Sequence, residues 1–174
     1  MKEMARYGFI LALICIVAAG LLAGVNALTR TKIAGQAIAS EQSALREVMP
    51  LAVRFSEIKS GEEILYYKAF DSQDKLIGFV FKASGKGYSS VVVTLAGIFL
   101  DLKISAIKVI SQNETPGLGV RVTEDQFQNH FNNQNCLDLS GVEAITGATI
   151  SSRAVINSVM KKAQEISELI KNER

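Results

Sequence analysis

The sequence predicts an α+β protein, in which a single N-terminal transmembrane helix precedes a small domain with an antiparallel sheet flanked by helices. Three observations support this prediction: a long uncharged run near the start, four β-rich segments in the middle, and an amphipathic helical pattern at the end. At 174 residues, the chain has room for one small domain and an anchor.

The N-terminal run, residues 7–28, contains no charged side chain, and Asn26 is its only strongly polar one. This length matches the roughly 20 residues that a helix needs to cross the hydrocarbon core. A cleaved signal peptide is the competing interpretation, but the apolar cores of signal peptides span only about 7–15 residues. An uncleaved anchor is therefore favoured. Basic residues flank the run on both sides, so charge alone leaves its orientation open.

A helical stalk is expected to connect the membrane segment to the domain. Ile38, Leu45 and Met49 recur at helical spacing, and Pro50 disfavours helix at the residue before it. The predicted organisation is a short N-terminus over 1–6, a transmembrane helix over 7–28, a stalk over 29–60 and the domain over 61–174.

Four segments of the domain are rich in β-branched and aromatic residues, which favour strands. Their spacing is short enough for an antiparallel meander. They read EILYYKAF (63–70), LIGFVFKA (76–83), YSSVVVTL (88–95) and KISAIKVI (103–110).

Two helices are predicted after the strands. The first is short and begins at Thr123, which has capping-box spacing with Gln126, while His130 is expected on its solvated side. The last begins at Ser151 or Ser152, which is its expected cap. Its apolar stripe consists of Ala154, Val155, Val159, Ala163, Ile166 and Ile170.

The composition excludes several classes of function. The formal net charge is only +2 and no basic stripe interleaves with aromatic residues, which argues against nucleic-acid binding. One histidine and two separated cysteines, Cys15 and Cys136, cannot supply an iron–sulfur cluster or a structural zinc site. Neither a metal site nor a catalytic acid or base is predicted. If the protein moves electrons, an organic cofactor must carry them.

The segment SGKGYSS, residues 84–90, resembles a phosphate-binding P-loop only superficially. Val80 stands where the first glycine of that loop is required, and Gly87 stands where serine or threonine should follow the lysine. A nucleotide-triphosphate site is therefore rejected. The favoured interpretation is a glycine-rich turn between strands, from which Tyr88 can still border a cofactor pocket.

Two further glycine-bearing segments are candidates for binding. In NETPGLGV, residues 113–120, Pro116-Gly117 is a strong turn signal, and both a plain connection and a binding loop fit the composition. TGATISS, residues 146–152, lies at the start of a predicted helix, where unpaired N–H groups and the helix dipole favour a phosphate. Its hydroxyl residues also fit ordinary helix caps, so both interpretations stand.

TGAT at a helix start, ETPGLG upstream and the single membrane helix together resemble the FMN-binding G subunits of Rnf electron-transport complexes. The related C subunit of the sodium-pumping NADH:quinone reductase is a second relative. The resemblance extends over essentially the whole chain. It implies that the last threonine of TGAT, Thr149, carries one FMN per chain through a phosphoester bond. The implied cofactor-binding residues are Thr146, Gly147, Ala148, Thr149, Ser152, Glu114, Thr115, Pro116, Gly117, Leu118 and Gly119.

The same resemblance implies the setting of the protein. The domain is expected on the extracytoplasmic side of the cell membrane, among other membrane subunits of an Rnf complex, with its FMN installed by a transferase that uses FAD and magnesium. Glu143 departs from the aspartate that family members usually have there, which puts recognition by the transferase in question. Two other hypotheses stay open: a free-standing anchored flavoprotein, and a binding module in which Thr149 is unmodified.

Overall fold

The structure is a computed structural model that describes residues 2–61 and 63–172. Helix α1 (Lys2–Val48) begins in one compact unit, Met1–Ser40, and ends in a second, Glu41–Arg174. In the first unit, the stretch Arg6–Arg30 is long and apolar enough to cross a membrane, with a mean hydropathy of 2.7. The predicted N-terminal apolar helix is thereby confirmed, and it fits a single-pass membrane protein.

The second unit is built on a five-stranded antiparallel sheet with the strand order β1-β2-β3-β4-β5. All four predicted strands are confirmed in type and order, and a further strand precedes them. The strands are β1 (Arg54–Ser60), β2 (Glu63–Phe70), β3 (Leu76–Lys86), β4 (Val91–Phe99) and β5 (Ile104–Ser111).

One face of the sheet packs against the C-terminal helix, α3 (Thr149–Asn172), and the short helices before it. The predicted stripe of α3 supplies four fully buried residues, Val155, Val159, Ala163 and Ile166. The main hydrophobic core therefore lies between α3 and this face. Its largest fully buried side chains include Tyr66, Phe81, Ile98, Ile104, Phe131, Leu139 and Ile166.

The opposite face is covered by the last turns of α1. The predicted domain boundary at residue 61 is therefore wrong, because the unit begins at Glu41. Leu45, Val48 and Met49 are buried against residues of β2, β3 and β4. Lys82 pairs with Glu41 at 2.7 Å, and Lys108 pairs with Glu47 at 2.7 Å. The segment 41–60, expected to finish a stalk, is therefore part of the sheet-bearing unit and not a linker.

The region between the sheet and α3 differs from its prediction. The expected single short helix consists of a 3-10 turn (Gly119–Thr123), α2 (Asp125–Gln128) and another 3-10 turn (Asn129–Phe131). The predicted capping box is wrong, because Glu124 precedes α2 and the Thr123 hydroxyl donates to the carbonyl oxygen of Val120 at 2.8 Å. His130 is exposed, as expected.

Candidate functional site

Two tight turns shape the segments that the sequence singled out. In the first, the Leu118 N–H donates to the Thr115 carbonyl at 3.2 Å, with Pro116 second and Gly117 third at a φ of +76°. In the second, the Ala148 N–H donates to the Ile145 carbonyl at 2.9 Å, with Gly147 third at a φ of +83°. Positive φ at the third position is the pattern of a type II turn, which glycine adopts without steric cost.

These turns meet the tip of the β3–β4 hairpin at the start of α3, and a cleft of about 500 Å³ lies between them. Its volume falls within the range of about 300–1,000 Å³ that is typical of small-molecule sites. The structure thus brings both sequence motifs to one place. The cleft is lined by Tyr88, Glu114, Thr115, Leu118, Gly119, Gly147, Ala148, Thr149, Ile150 and Ser151.

Glu114 joins the three segments from inside the cleft wall, where only 4% of its surface is exposed. Its carboxylate accepts N–H bonds from Tyr88, Ser89 and Ser90 at 2.8–3.1 Å, and hydroxyl bonds from Ser90 at 3.0 Å and Ser151 at 2.6 Å. Burial by itself raises the pKa of this carboxyl, but the hydrogen bonds from Ser151, Ser90 and Ser89 outweigh burial and lower the pKa to about 2. Glu114 is therefore ionised and fully engaged.

The Glu114 side chain fits between two glycines, at positions where any larger residue would overlap it. A Cβ atom on Gly87 would lie 2.6 Å from Glu114 Oε1. One on Gly119 would lie 2.7 Å from Glu114 Cβ and 2.8 Å from Ser151 Oγ. Because five hydrogen bonds hold the carboxylate, it cannot move aside at low cost. The hairpin tip, the ETPGLG loop and the first turn of α3 consequently close around Glu114.

The first turn of α3 supplies unpaired backbone donors at the edge of the cleft. Helix α3 begins at Thr149, whose side chain is exposed, and no described residue accepts a hydrogen bond from the N–H groups of Thr149, Ile150 and Ser151. Unpaired N–H groups and the dipole of a 24-residue helix both favour an anion here. The Thr149 hydroxyl therefore lies where a phosphoryl group would be stabilised.

The predicted helix cap is wrong for both serines. Ser151 donates its hydroxyl to Glu114, and Ser152 lies inside the first turns, where its hydroxyl donates to the Ala148 carbonyl at 3.0 Å. The Ser152 oxygen also accepts the Ile145 N–H at 3.1 Å. These two hydrogen bonds stabilise the turn that precedes α3. Ser152 is fully buried and does not line the cleft.

Other predicted site residues lie outside the cleft lining. Pro116 and Gly117 form the exposed corner of their turn. Thr146 borders a separate depression of about 190 Å³, together with Glu143 and other residues. Conversely, Ile150 and Ser151 line the cleft but are not among the predicted site residues. Both residues could have been predicted from their position in the first turn of α3. For Ser151, however, the same position is also typical of a helix cap.

Residues 87–164, which include the whole lining of the cleft, match the model of the FMN-binding domain, and this match defines the class of the protein as a flavin-binding one. Residues 1–48 match the model of the RnfG N-terminal region. The chain is 31% identical to the G subunit of the ion-translocating oxidoreductase complex of Methanosarcina acetivorans, over 95% of this chain and 96% of that one. It belongs to the RnfG family.

A further relative agrees with this assignment, and a solved structure agrees with the fold. The G subunit of the Na⁺-translocating ferredoxin:NAD⁺ oxidoreductase complex of Acetobacterium woodii is 32% identical, over 98% of this chain and 95% of that one. The crystal structure of NqrC from Shewanella oneidensis superimposes with a TM-score of 0.50 at 21% identity. That similarity covers 65% of this chain and 66% of NqrC, and at this level of identity it supports the α+β fold alone.

The residues of the cleft fit FMN. Its phosphate requires donors and a positive potential, which the first turn of α3 supplies. Its flat ring requires an apolar surface, and Tyr88, Leu118 and Ile150 expose large side chains along the cleft. Gly119 and Gly147 add no side-chain bulk to the walls. The cofactor would supply the redox chemistry, and the chain would hold and orient it.

Proposed function

We propose that this chain is the electron-carrying G subunit of a membrane-bound, ion-translocating ferredoxin:NAD oxidoreductase of the Rnf type. Electrons pass through one FMN per chain, attached by a phosphoester bond to Thr149. The domain faces the extracytoplasmic side and contacts other membrane subunits of the complex. The names of the relatives and the match to the FMN-binding domain support this proposal.

The observation that supports attachment at Thr149 is the position of its exposed hydroxyl at the unpaired start of α3, on the edge of the cleft. Other hydroxyls nearby are less suitable. Those of Ser151 and Ser152 are buried and engaged in hydrogen bonds. Thr146 is exposed but borders the separate depression. Thr115 also lines the cleft, but its Oγ1 lies within hydrogen-bond distance of Ser89 Oγ, at 3.3 Å. Of the serine and threonine hydroxyls in the described lining, Thr149 is thus the one without a hydrogen-bond partner, which leaves it available for a covalent bond.

The attachment requires an external enzyme. No described side chain is hydrogen-bonded to the Thr149 hydroxyl as a base, and an unaided threonine is a weak nucleophile. A transferase that uses FAD would remove the Thr149 proton while the oxygen forms a bond to the flavin-side phosphorus, and AMP would leave as the pyrophosphate bond breaks. The phosphodiester keeps one negative charge, which the N-terminus of α3 stabilises.

The test is intact mass spectrometry of the full chain, expressed in a host that has the flavin transferase. We expect one added FMN-phosphoryl group, mapped by fragmentation to Thr149 within residues 122–153. Thr149→Ala should abolish the added mass and the flavin fluorescence in a denaturing gel. The matched control is Thr115→Ala, which removes another hydroxyl residue from the cleft lining and should keep both. An unmodified wild-type chain in that host would refute the proposal.

A further inference from the structure

The sheet opens between β2 and β3 along part of their length. The pairing of β2 with β3 ends at Tyr67 and Val80, whereas the pairing of β3 with β4 continues to Lys86 at the end of β3. Residues 63–66 of β2 still pair with β1. The β1–β2 hairpin therefore diverges from β3, and residues 82–86 form an open edge of β3 with which no described residue of β2 pairs.

A cavity of about 560 Å³ lies in this divergence. Three consecutive residues of β3 line it, Lys82, Ala83 and Ser84. Since consecutive side chains of a strand point to opposite faces, a cavity that touches all three lies along the edge of β3 and not on one face of the sheet. Its other walls come from β2 and α3. They are formed by Ile64, Ser158, Lys161, Lys162 and Glu165.

The backbone groups of alternate β3 residues face away from β4 at the open edge. In an antiparallel ladder, the N–H and C=O groups of one residue face one neighbouring strand, and those of the next residue face the other. The Gly87 N–H donates across the hairpin to the Ser90 carbonyl at 2.8 Å, and the register of β3 with β4 has no bulge. The backbone groups of Lys82, Ser84 and Lys86 therefore face the diverging β2. Unpaired strand edges of this kind bind further strands.

The charges around the open edge determine which segment can bind there. Four lysines lie along the edge or line the cavity, and two of them form ion pairs with described glutamates. The other two are Lys86 on β3 and Lys161 on α3. A second copy of this chain, paired antiparallel about Ser84, would place its Lys86 opposite Lys82, and like charges on facing strands are destabilising. A segment that carries carboxylates would instead pair with both lysines.

We propose that the open edge of β3 binds an extended, acidic segment of another subunit of the same membrane complex, which adds a strand to the sheet. The inference rests on the proposed function for the existence of this partner, and it identifies a contact surface outside the flavin cleft. The backbone of the segment pairs with Lys82, Ser84 and Lys86, which provides affinity. Its carboxylates contact Lys86 and Lys161, which provides the choice of partner.

Hydrogen exchange tests the alternating pattern that strand addition requires. The full chain is measured alone in detergent and within the purified complex, with exchange resolved to single residues by fragmentation. The amides of Lys82, Ser84 and Lys86 should exchange on the order of 100-fold more slowly in the complex. The amides of Ala83 and Gly85 face β4 and should be slow in both samples. Unchanged exchange at the three even-numbered amides overturns the proposal.

Substitutions at the open edge provide a second test. Ser84→Pro removes one outward N–H, and proline is tolerated where the N–H of a strand faces solvent. It should lower the amount of chain that co-purifies with the complex about tenfold, whereas Ser84→Ala keeps the N–H and should co-purify like wild type. Lys161→Glu tests the charge without altering a strand. It should also lower co-purification, and its control is Lys171→Glu, an exposed lysine of α3 outside the cavity lining.

The outcomes separate this inference from the proposed function. If the complex contains this chain with its FMN, and Ser84→Pro and Lys161→Glu assemble like wild type, the strand addition alone is overturned. If the wild-type chain carries no flavin in a host with the transferase, or is absent from the purified complex, the proposed function is overturned and the strand addition with it. Urea unfolding of each isolated variant should match wild type, which distinguishes lost binding from lost folding.

Discussion

Replacing Glu114 by glutamine should destabilise the domain and loosen the cleft, although the two side chains have nearly the same shape. The carboxylate accepts five hydrogen bonds, whereas glutamine has one acceptor oxygen and a donor amide. If the amide replaces Oε2, the Ser151 hydroxyl can rotate to accept, but the Tyr88 N–H loses its partner. A buried donor left unpaired costs about 1–3 kcal/mol, and the remaining bonds lose their charge assistance.

The lowered pKa of Glu114 gives a second way to work out the size of the same effect. A pKa that falls from 4.5 to about 2 on folding corresponds to about 3 kcal/mol of stability. Because the pKa is lowered, this contribution is fully present above pH 4.5 and is lost as the pH falls towards 2. We therefore expect Glu114→Gln to cost about 3 kcal/mol at pH 7, and this cost should shrink towards zero near pH 2.

The assay is urea unfolding of the full chain in detergent, followed by far-ultraviolet circular dichroism because the chain has no tryptophan. Hydrogen exchange provides a local readout. The amides of residues 88–90 should exchange on the order of 100-fold faster in the variant, since each 1.4 kcal/mol changes an equilibrium tenfold.

The matched control is Glu168→Gln, an exposed glutamate on α3 whose replacement should stay within about 0.5 kcal/mol of wild type. The reasoning would be refuted if Glu114→Gln behaved like this control at pH 7. A cost that is equally large at pH 7 and near pH 2 would contradict the electrostatic part, since protonated wild type should then resemble the variant.

Two further substitutions test the packing around the site and in the core. Gly119→Ala should cost about 1–3 kcal/mol because its Cβ would overlap Glu114 and Ser151, whereas Gly141→Ala, whose Cβ would meet its nearest neighbour at 3.6 Å, should be close to neutral in the same urea assay. Thr94→Val should raise the free energy of unfolding by about 1 kcal/mol, because the hydroxyl of this fully buried residue has no hydrogen-bond partner in the described part of the chain. A Thr94→Val variant less stable than wild type would mean that a buried water satisfies that hydroxyl.

The features that the sequence predicts correctly are those with a strong local signal. Strands β2 to β5 are short β-rich runs, and the stripe of α3 repeats at helical spacing. Strand β1 escapes prediction because RFSEIKS alternates with charged residues and lies at the edge of the sheet, where little of it is buried. The last turns of α1 were predicted as a stalk because their helical pattern does not indicate which surface the apolar residues contact. In the structure that surface is the sheet.

The site shows a similar division. The turns at Pro116-Gly117 and before α3 follow from local preference, and both are present. The convergence of Glu114 on Ser151 could not be predicted, because 37 residues separate them and their contact depends on how α3 packs. From the sequence, several hydroxyl residues at a helix start therefore suggest capping. In the structure one of them, Ser151, donates instead to the carboxylate of Glu114 in a distant loop.

Helix α1 serves two different environments along a single element, since Arg6–Arg30 has the composition of a membrane span and residues 41–48 belong to the folded unit. This limits where the protein can be cut to obtain a water-soluble form. A cut within the apolar span leaves a hydrophobic end exposed to water, and a cut after Glu41 removes side chains that cover one face of the sheet. The window for a soluble fragment is therefore residues 31–40, and a fragment that begins at 61 lacks both β1 and the helical cover.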